Sequence, residues 1–194
     1  QTFRRGAALF DTGFHYVGAL DEGESLHTLF SYFDLMGLPW KKLDEDCFDE
    51  VVIGEDTFAF ANKHQRFYER MAARFPKERE GLKKYVTFLK EVGDHIFGVF
   101  QGDEHKRYTY SLLSRSAYEF LNETIKDPLL RKVLSGTSLK MELNAPTLPL
   151  YTFAQINDSF IRSAWRLRGG GSQIADKLVE GILSMGGEVK THAA

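Results

Sequence analysis

Two short stretches of this 194-residue chain carry side chains or backbone that chemistry could use. The first is His15-Tyr16, a polar pair on the otherwise apolar run 7–20 and flanked by Gly13 and Gly18. A histidine or a tyrosine on an apolar strand handles protons or satisfies a buried partner. Both readings stand on the residues alone. The second is Gly169-Gly170-Gly171, which runs directly into an amphipathic helix whose predicted cap is Ser172. Three glycines in a row let backbone approach a flat or charged ligand, because no Cβ intervenes. The helix behind them adds free N–H groups and a positive dipole end. Such a triplet is more often a plain tight turn than a ligand cradle, and Arg162, Arg166 and Arg168 can serve the C-terminal dipole of the preceding helix rather than an anion.

Other chemistries fail on spacing. No Gly-x-Gly-x-x-Gly occurs, since Ile174 stands where a third glycine is needed. Gly18 to Gly23 has the outer spacing of a phosphate loop, but Glu24-Ser25 replaces its lysine and hydroxyl. The six histidines form no pair at metal-binding spacing and Cys47 is alone, so no metal site is expected. The acidic run Asp44 to Glu50 lacks the glycine of a calcium loop and reads as a solvated turn. There is no Gly-x-Ser-x-Gly elbow.

The elements that must position these residues can be read from periodicity. Residues 7–20 read as strand, broken at Gly13 and Gly18, where glycine marks a bulge or a close backbone approach. Leu26 to Met36 reads as a helix stopped by Gly37, with Leu26, Leu29, Phe30 and Phe33 on one face. Val51–Ile53 and Thr57–Phe60, joined by Gly54-Glu55-Asp56, read as a hairpin. Helices follow over Gln65–Phe75, from Pro76 to about Gln101 (with Gly93 and Gly98 inside), over Ser111–Ile125, from an Asp127-Pro128 start to Gly136, and over Pro149–Arg166. A last helix from Ser172 points Ile174, Leu178, Ile182 and Met185 inward. It ends at Gly186-Gly187, and a strand opens at Val189. That strand stops without a downstream partner, which predicts a segment cut from a larger protein.

Net charge −2 and 27% charged residues argue against nucleic acid. One cysteine fits a reducing, cytoplasmic setting. The aromatic load, with 16 Phe and 8 Tyr, fits a rich core or an apolar pocket. The fold class expected is α+β, a small antiparallel or mixed sheet carrying a mostly helical insert. Its parts are a strand-rich portion at 1–62, a helical substrate-binding portion at 63–166, and a returning loop, helix and strand at 167–194.

Phe10-Asp-Thr-Gly-Phe-His-Tyr-Val-Gly resembles the strand that follows the nucleotide-binding region in the FAD-dependent retinol saturase branch of the phytoene desaturase and carotenoid isomerase family. Leu38-Pro-Trp, Arg74-Phe-Pro-Lys-Glu, Asp127-Pro-Leu-Leu and Arg168-Gly-Gly-Gly-Ser-Gln-Ile-Ala to Gly186-Gly-Glu-Val resemble later segments of that family in the same order. The resemblance implies a parent oxidoreductase with an FAD domain and a substrate domain, this chain being mainly the latter and not expected to hold FAD alone. It implies a lipophilic polyene or isoprenoid substrate whose C=C bonds are saturated, desaturated or isomerised, with NAD(P) as a reductant. Asp11, Gly13, Gly169, Gly170 and Gly171 would then lie by the flavin, His15 and Tyr16 would be catalytic, and Gln173 and Trp165 would line the substrate cavity. A lipophilic substrate also implies peripheral membrane contact, although no basic amphipathic helix marks it. The competing expectation is a non-catalytic helical domain that binds an apolar ligand or a protein.

Overall fold

The computed structural model describes residues 2–96, 102–142 and 144–191. As expected, the class is α+β, with small antiparallel sheets beside a helical body. The elements run β1 (Thr2–Arg5), β2 (Ala8–Asp11), β3 (Val17–Gly18), α1 (Ser25–Tyr32), β4 (Trp40–Lys42), β5 (Asp49–Ile53), β6 (Asp56–Phe60), α2 (His64–Arg74), α3 (Arg79–Asp94), α4 (Asp103–Leu113), α5 (Ala117–Thr124), α6 (Pro128–Leu134), α7 (Leu150–Arg162), β7 (Ala164–Leu167) and α8 (Ser172–Ser184).

The helical body forms because its helices carry apolar side chains at helical spacing. Helix α3 buries Leu82, Tyr85, Val86, Leu89 and Val92, and α7 buries Leu150, Phe153, Ala154 and Ile161. The two helices face each other across this core, with α2 and α5 packed around them. Gly93 is part of the reason they approach so closely, since a Cβ there would overlap the Asp158 carboxylate on α7. Asp158 is itself buried and is satisfied by His64 at 2.7 Å and Arg162 at 2.5 Å. The helix start at Asp127-Pro128 is as predicted: the Asp127 carboxylate accepts the N–H groups of Leu129 and Leu130 at 2.8 and 3.1 Å.

The hairpin β5–β6 also matches its prediction, with Ile53 opposite Asp56 and Gly54 at φ 63 as the first loop residue. The run 7–20 becomes two strands instead of one. Its first half pairs back on β1, and its second half, β3, joins a three-stranded sheet in the order β3-β7-β4. Gly18 does mark a close backbone approach, because its Cα lies against the main chain of Ser159 on α7.

Several boundaries differ from the sequence reading for local reasons. Helix α1 ends at Tyr32 and the chain reverses at Asp34 (φ 55), so Gly37 is not the stop; Leu29 and Phe33 of its apolar face stay exposed. Helix α3 ends at Asp94, and the remainder of its predicted span, 97–101, lies outside the described residues. The predicted helix over 111–125 is split by Ser114–Ser116, because the Ser116 hydroxyl accepts the N–H of Tyr118 and starts α5 afresh. Helix α7 stops at Arg162, and 164–167 is the central strand β7, since Ser163 turns extended and its hydroxyl is used to accept the N–H groups of Leu20 and Asp21. Ser172 does not cap α8; Gly171 is the cap position. No residue of α8 is buried, and Ile182 and Met185 of the predicted inward face are 40% and 81% exposed; that side borders an open cleft whose other wall is Tyr32, Phe33 and Asp34 at the end of α1. Residues 188–191 form no strand, and 192–194 lie outside the described residues.

Candidate functional site

The segment from Asp11 to Gly18 is where the sequence-predicted residues converge. At its start, both oxygens of Asp11 accept the N–H of Gly171, at 3.2 and 3.1 Å. Gly169 and Gly170 are left-handed, at φ 87 and 97, so the loop needs glycine there. Its tightness has an internal cause. A Cβ on Gly170 would come within 2.8 Å of the Asp11 carboxylate, and one on Gly171 within 2.7 Å of the Phe14 ring. The triplet is therefore small so that Asp11 and Phe14 can lie on it. Gln173 completes the lock by donating to the carbonyls of Arg168 and Gly170 at 2.7 and 2.9 Å.

Tyr16 is half-buried, and its hydroxyl donates to Asp49 at 2.6 Å. The Lys140 ammonium donates to both, at 2.8 Å to the Tyr16 oxygen and 2.6 Å to Asp49, and stands 4.3 Å from the Tyr16 ring centroid. The Tyr16 ring leans on Phe160, with centroids 4.6 Å apart. Burial, reinforced by the hydrogen bond to the Asp49 carboxylate, pushes the Tyr16 phenol well above its ordinary pKa. Burial acts to raise Asp49 as well, but the hydrogen bonds from Lys140 and Tyr16 outweigh it and hold the carboxyl below the usual range. His15, by contrast, is exposed.

This segment separates two clefts. One, of about 460 Å³, is mainly apolar: Phe14, Tyr16, Val17, Leu26, Leu29, Ile156 and Phe160 line it, with His15 and Lys140 at its wall. The other, of about 780 Å³, lies between the β1–β2 hairpin and the β4–β7 ladder, and takes in Asp11, His15, Lys41, Arg166, Arg168, Gly169 and Gly170. Phe14 and His15 border both. A third cleft of about 380 Å³, between α5 and α6, contains none of the 11–18 segment.

The structure thus brings together Asp11, Gly13, His15, Tyr16 and the glycine triplet. It does not bring Trp165 to either cleft: on β7 its side chain alternates away from Arg166, and its indole N–H donates to Asp21 at 3.0 Å beneath Lys42. Gln173 is a clamp on the loop and lines neither cleft. Asp49 corrects the reading of 44–50 as a solvated turn, since it opens β5 and is fixed by Lys140. Lys140, at the end of a 3₁₀ turn (Gly136–Lys140), had no periodic signal to reveal it. Among the described residues no group of three or more His, Cys, Asp or Glu can hold a metal ion, and no helix is long and apolar enough to cross a membrane.

Comparison with known proteins agrees with the resemblance. The chain is 28% identical to the all-trans-retinol 13,14-reductase of Danio rerio, and 24% identical to those of Rattus norvegicus and Homo sapiens. Each match covers 100% of this chain and 35% of the relative, so the chain spans about a third of the length of these proteins. No family model and no solved structure matches it. Along its whole length, then, the chain is similar to the all-trans-retinol 13,14-reductases, in agreement with the retinol saturase branch that its His-Tyr segment and glycine loop resemble.

Proposed function

We propose that this chain is the substrate-binding part of a flavin-dependent oxidoreductase that reduces a C=C bond of a polyene or other isoprenoid. The observation that carries the reading is the position of Phe14 and His15 between a hydrocarbon-lined cleft and a cleft edged by glycine and cations. A polyene needs the first environment, and a flat cofactor bearing anionic groups suits the second. The donor set therefore fits a flavin; Asp11, Gly13, Gly169, Gly170 and Gly171 would border it, with NAD(P) as the source of electrons. When bound, that flavin supplies the hydride for saturation.

The chain's own residues supply the rest. Saturation of a C=C bond adds one hydride and one proton, so a proton donor must face the polyene. Tyr16 is poorly suited, because its hydrogen is committed to Asp49 and its acidity is suppressed. We assign it instead, with Lys140 and Asp49, to fixing the cleft wall and orienting the polar end of the substrate. His15 is the proton donor in this reading, since it borders the apolar cleft and its ring is exposed. The apolar side chains of α7 and α1 flank the polyene on one side of this open cleft.

The absorption spectrum of the full-length protein tests this reading. Flavin bands in the full-length protein, none in this chain, and retinol fluorescence enhanced by the chain alone support it. A colourless full-length protein that takes up no added FAD, yet still binds retinol, would replace it with a second reading. That second reading is a non-catalytic apolar-ligand domain, and the engaged proton of Tyr16 is the observation in its favour.

A further inference from the structure

The cleft of about 380 Å³ between α5 and α6 has no part in the proposed reaction, since none of the 11–18 segment lines it. Its floor is the helical core itself: Ala117, Leu121, Leu148 and Phe153 line it, and each is more than nine-tenths buried. Two further lining residues are large and left in water, Tyr118 on α5 at 54% exposed and Leu139 on the 3₁₀ turn at 76% exposed. A lone exposed leucine is ordinary, but such side chains beside an apolar floor make a surface that a ligand can cover. The charges of the cleft are unequal. Arg131 and Lys132, in the last turn of α6, both line it and form no ion pair among the described residues. Its one carboxylate, Glu142, accepts the N–H of Asn144 at 2.9 Å. Two cations against one carboxylate leave a single positive charge over.

We infer that this cleft binds an amphipathic monoanion, a fatty-acid-type molecule with an apolar chain and one carboxylate. The chain lies on the floor of Leu121, Leu148 and Phe153 and takes Tyr118 and Leu139 out of water, which is favourable in proportion to the apolar area covered. The carboxylate goes to Arg131 and Lys132, and its one charge matches the surplus of one. Arg131 is already held for this contact, because its Nη1 donates to the carbonyls of Ile125 and Lys126 at 2.9 and 3.1 Å. A guanidinium fixed in this way loses little freedom when it meets a carboxylate. The volume lies within the range of small-ligand sites. The inference does not rest on the polyene reading, although the turn that brings Leu139 to this cleft brings Lys140 to the other.

The test is titration calorimetry of this chain with octanoate and, separately, octanol, with backbone amide chemical shifts followed in the same titrations. Octanoate is expected to bind the wild type and to shift the amides of Leu121, Ser135 and Leu139. Octanol keeps the apolar chain and lacks the charge, so it is expected to bind more weakly by about tenfold or more, the scale of a charge-assisted hydrogen bond. K132Q/L139Q changes two exposed side chains and is expected to fold as the wild type does. It is expected to lose octanoate affinity by about tenfold or more and to keep retinol binding in the other cleft. Octanoate shifts confined to Val17 and Phe160 would place the ligand in the polyene cleft and overturn the inference. Equal affinity for octanoate and octanol, unchanged octanoate affinity in the variant, or no octanoate binding at all overturns it as well. So does self-association of the free chain in sedimentation velocity that K132Q/L139Q abolishes, because the cleft then receives a second copy.

Discussion

The carboxylate of Asp11 grips the backbone N–H of Gly171 across 160 residues of sequence. The contact places a negative charge at the start of α8, where the helix dipole favours it, and fixes the strand end that leads to His15. Asp11→Ala removes both effects. It is expected to cost about 1–2 kcal/mol in urea unfolding and to accelerate amide exchange at Gly171. Unchanged exchange at Gly171 would show that the loop holds itself.

His15 and Tyr16 separate in the proposed reaction. In the full-length protein, His15→Ala is expected to lower turnover of a retinoid at least a hundredfold, the scale of general acid catalysis, with little change in stability. Tyr16→Phe is expected to lower turnover less than tenfold and to cost about 1 kcal/mol of stability, as Lys140 and Asp49 lose a partner between them. The reverse order of the two turnover effects would move the proton donor to Tyr16.

Asp49 sets an acid limb. Its folded-state pKa is depressed, so its contribution to stability is complete above the unfolded carboxylate value of about 3.9 and drains away as pH falls through the folded value. Melting temperatures of wild type are expected to fall below about pH 4, and Asp49→Asn to be less stable at pH 7 with a flatter acid limb. Parallel curves for the two proteins would remove Asp49 from this role.

Two glycines have no room for a methyl group. Gly18→Ala would drive a Cβ into the Ser159 main chain, and Gly93→Ala would drive one into Asp158. Each is expected to destabilise the chain by about 3 kcal/mol or more, seen as loss of the soluble folded protein or a fall in urea midpoint. Gly37→Ala, where nothing lies within 4 Å of the added carbon, serves as the tolerated control.

How much was legible in the sequence follows the range of the interactions. Asp127-Pro128 and the Gly54 hairpin are local, and each appears as predicted. Gly18 was legible as a close approach, though not against which partner. The centre of the sheet was not, because Ala164–Leu167 continues a helical pattern and becomes strand only through partners at 17–18 and 40–42. Of the site, His15, Tyr16 and the triplet stood out as residue types in unusual company. Lys140 and Asp49 did not, since an exposed-looking lysine and an acidic run signal nothing until tertiary structure joins them.

The strand order β3-β7-β4 also sets the order of events on the ribosome. The middle strand is the last of the three to be synthesised, so β3 and β4 emerge with no neighbour between them and wait for nearly the whole helical body. Closing a sheet over so long a loop is slow, and a helical body that forms first leaves those two strands open to wrong partners. Synthesis that stalls before Ala164 is therefore expected to yield a helical but sheetless, aggregation-prone nascent chain, and a chaperone that shields residues 17–42 until then would raise the yield of the folded form.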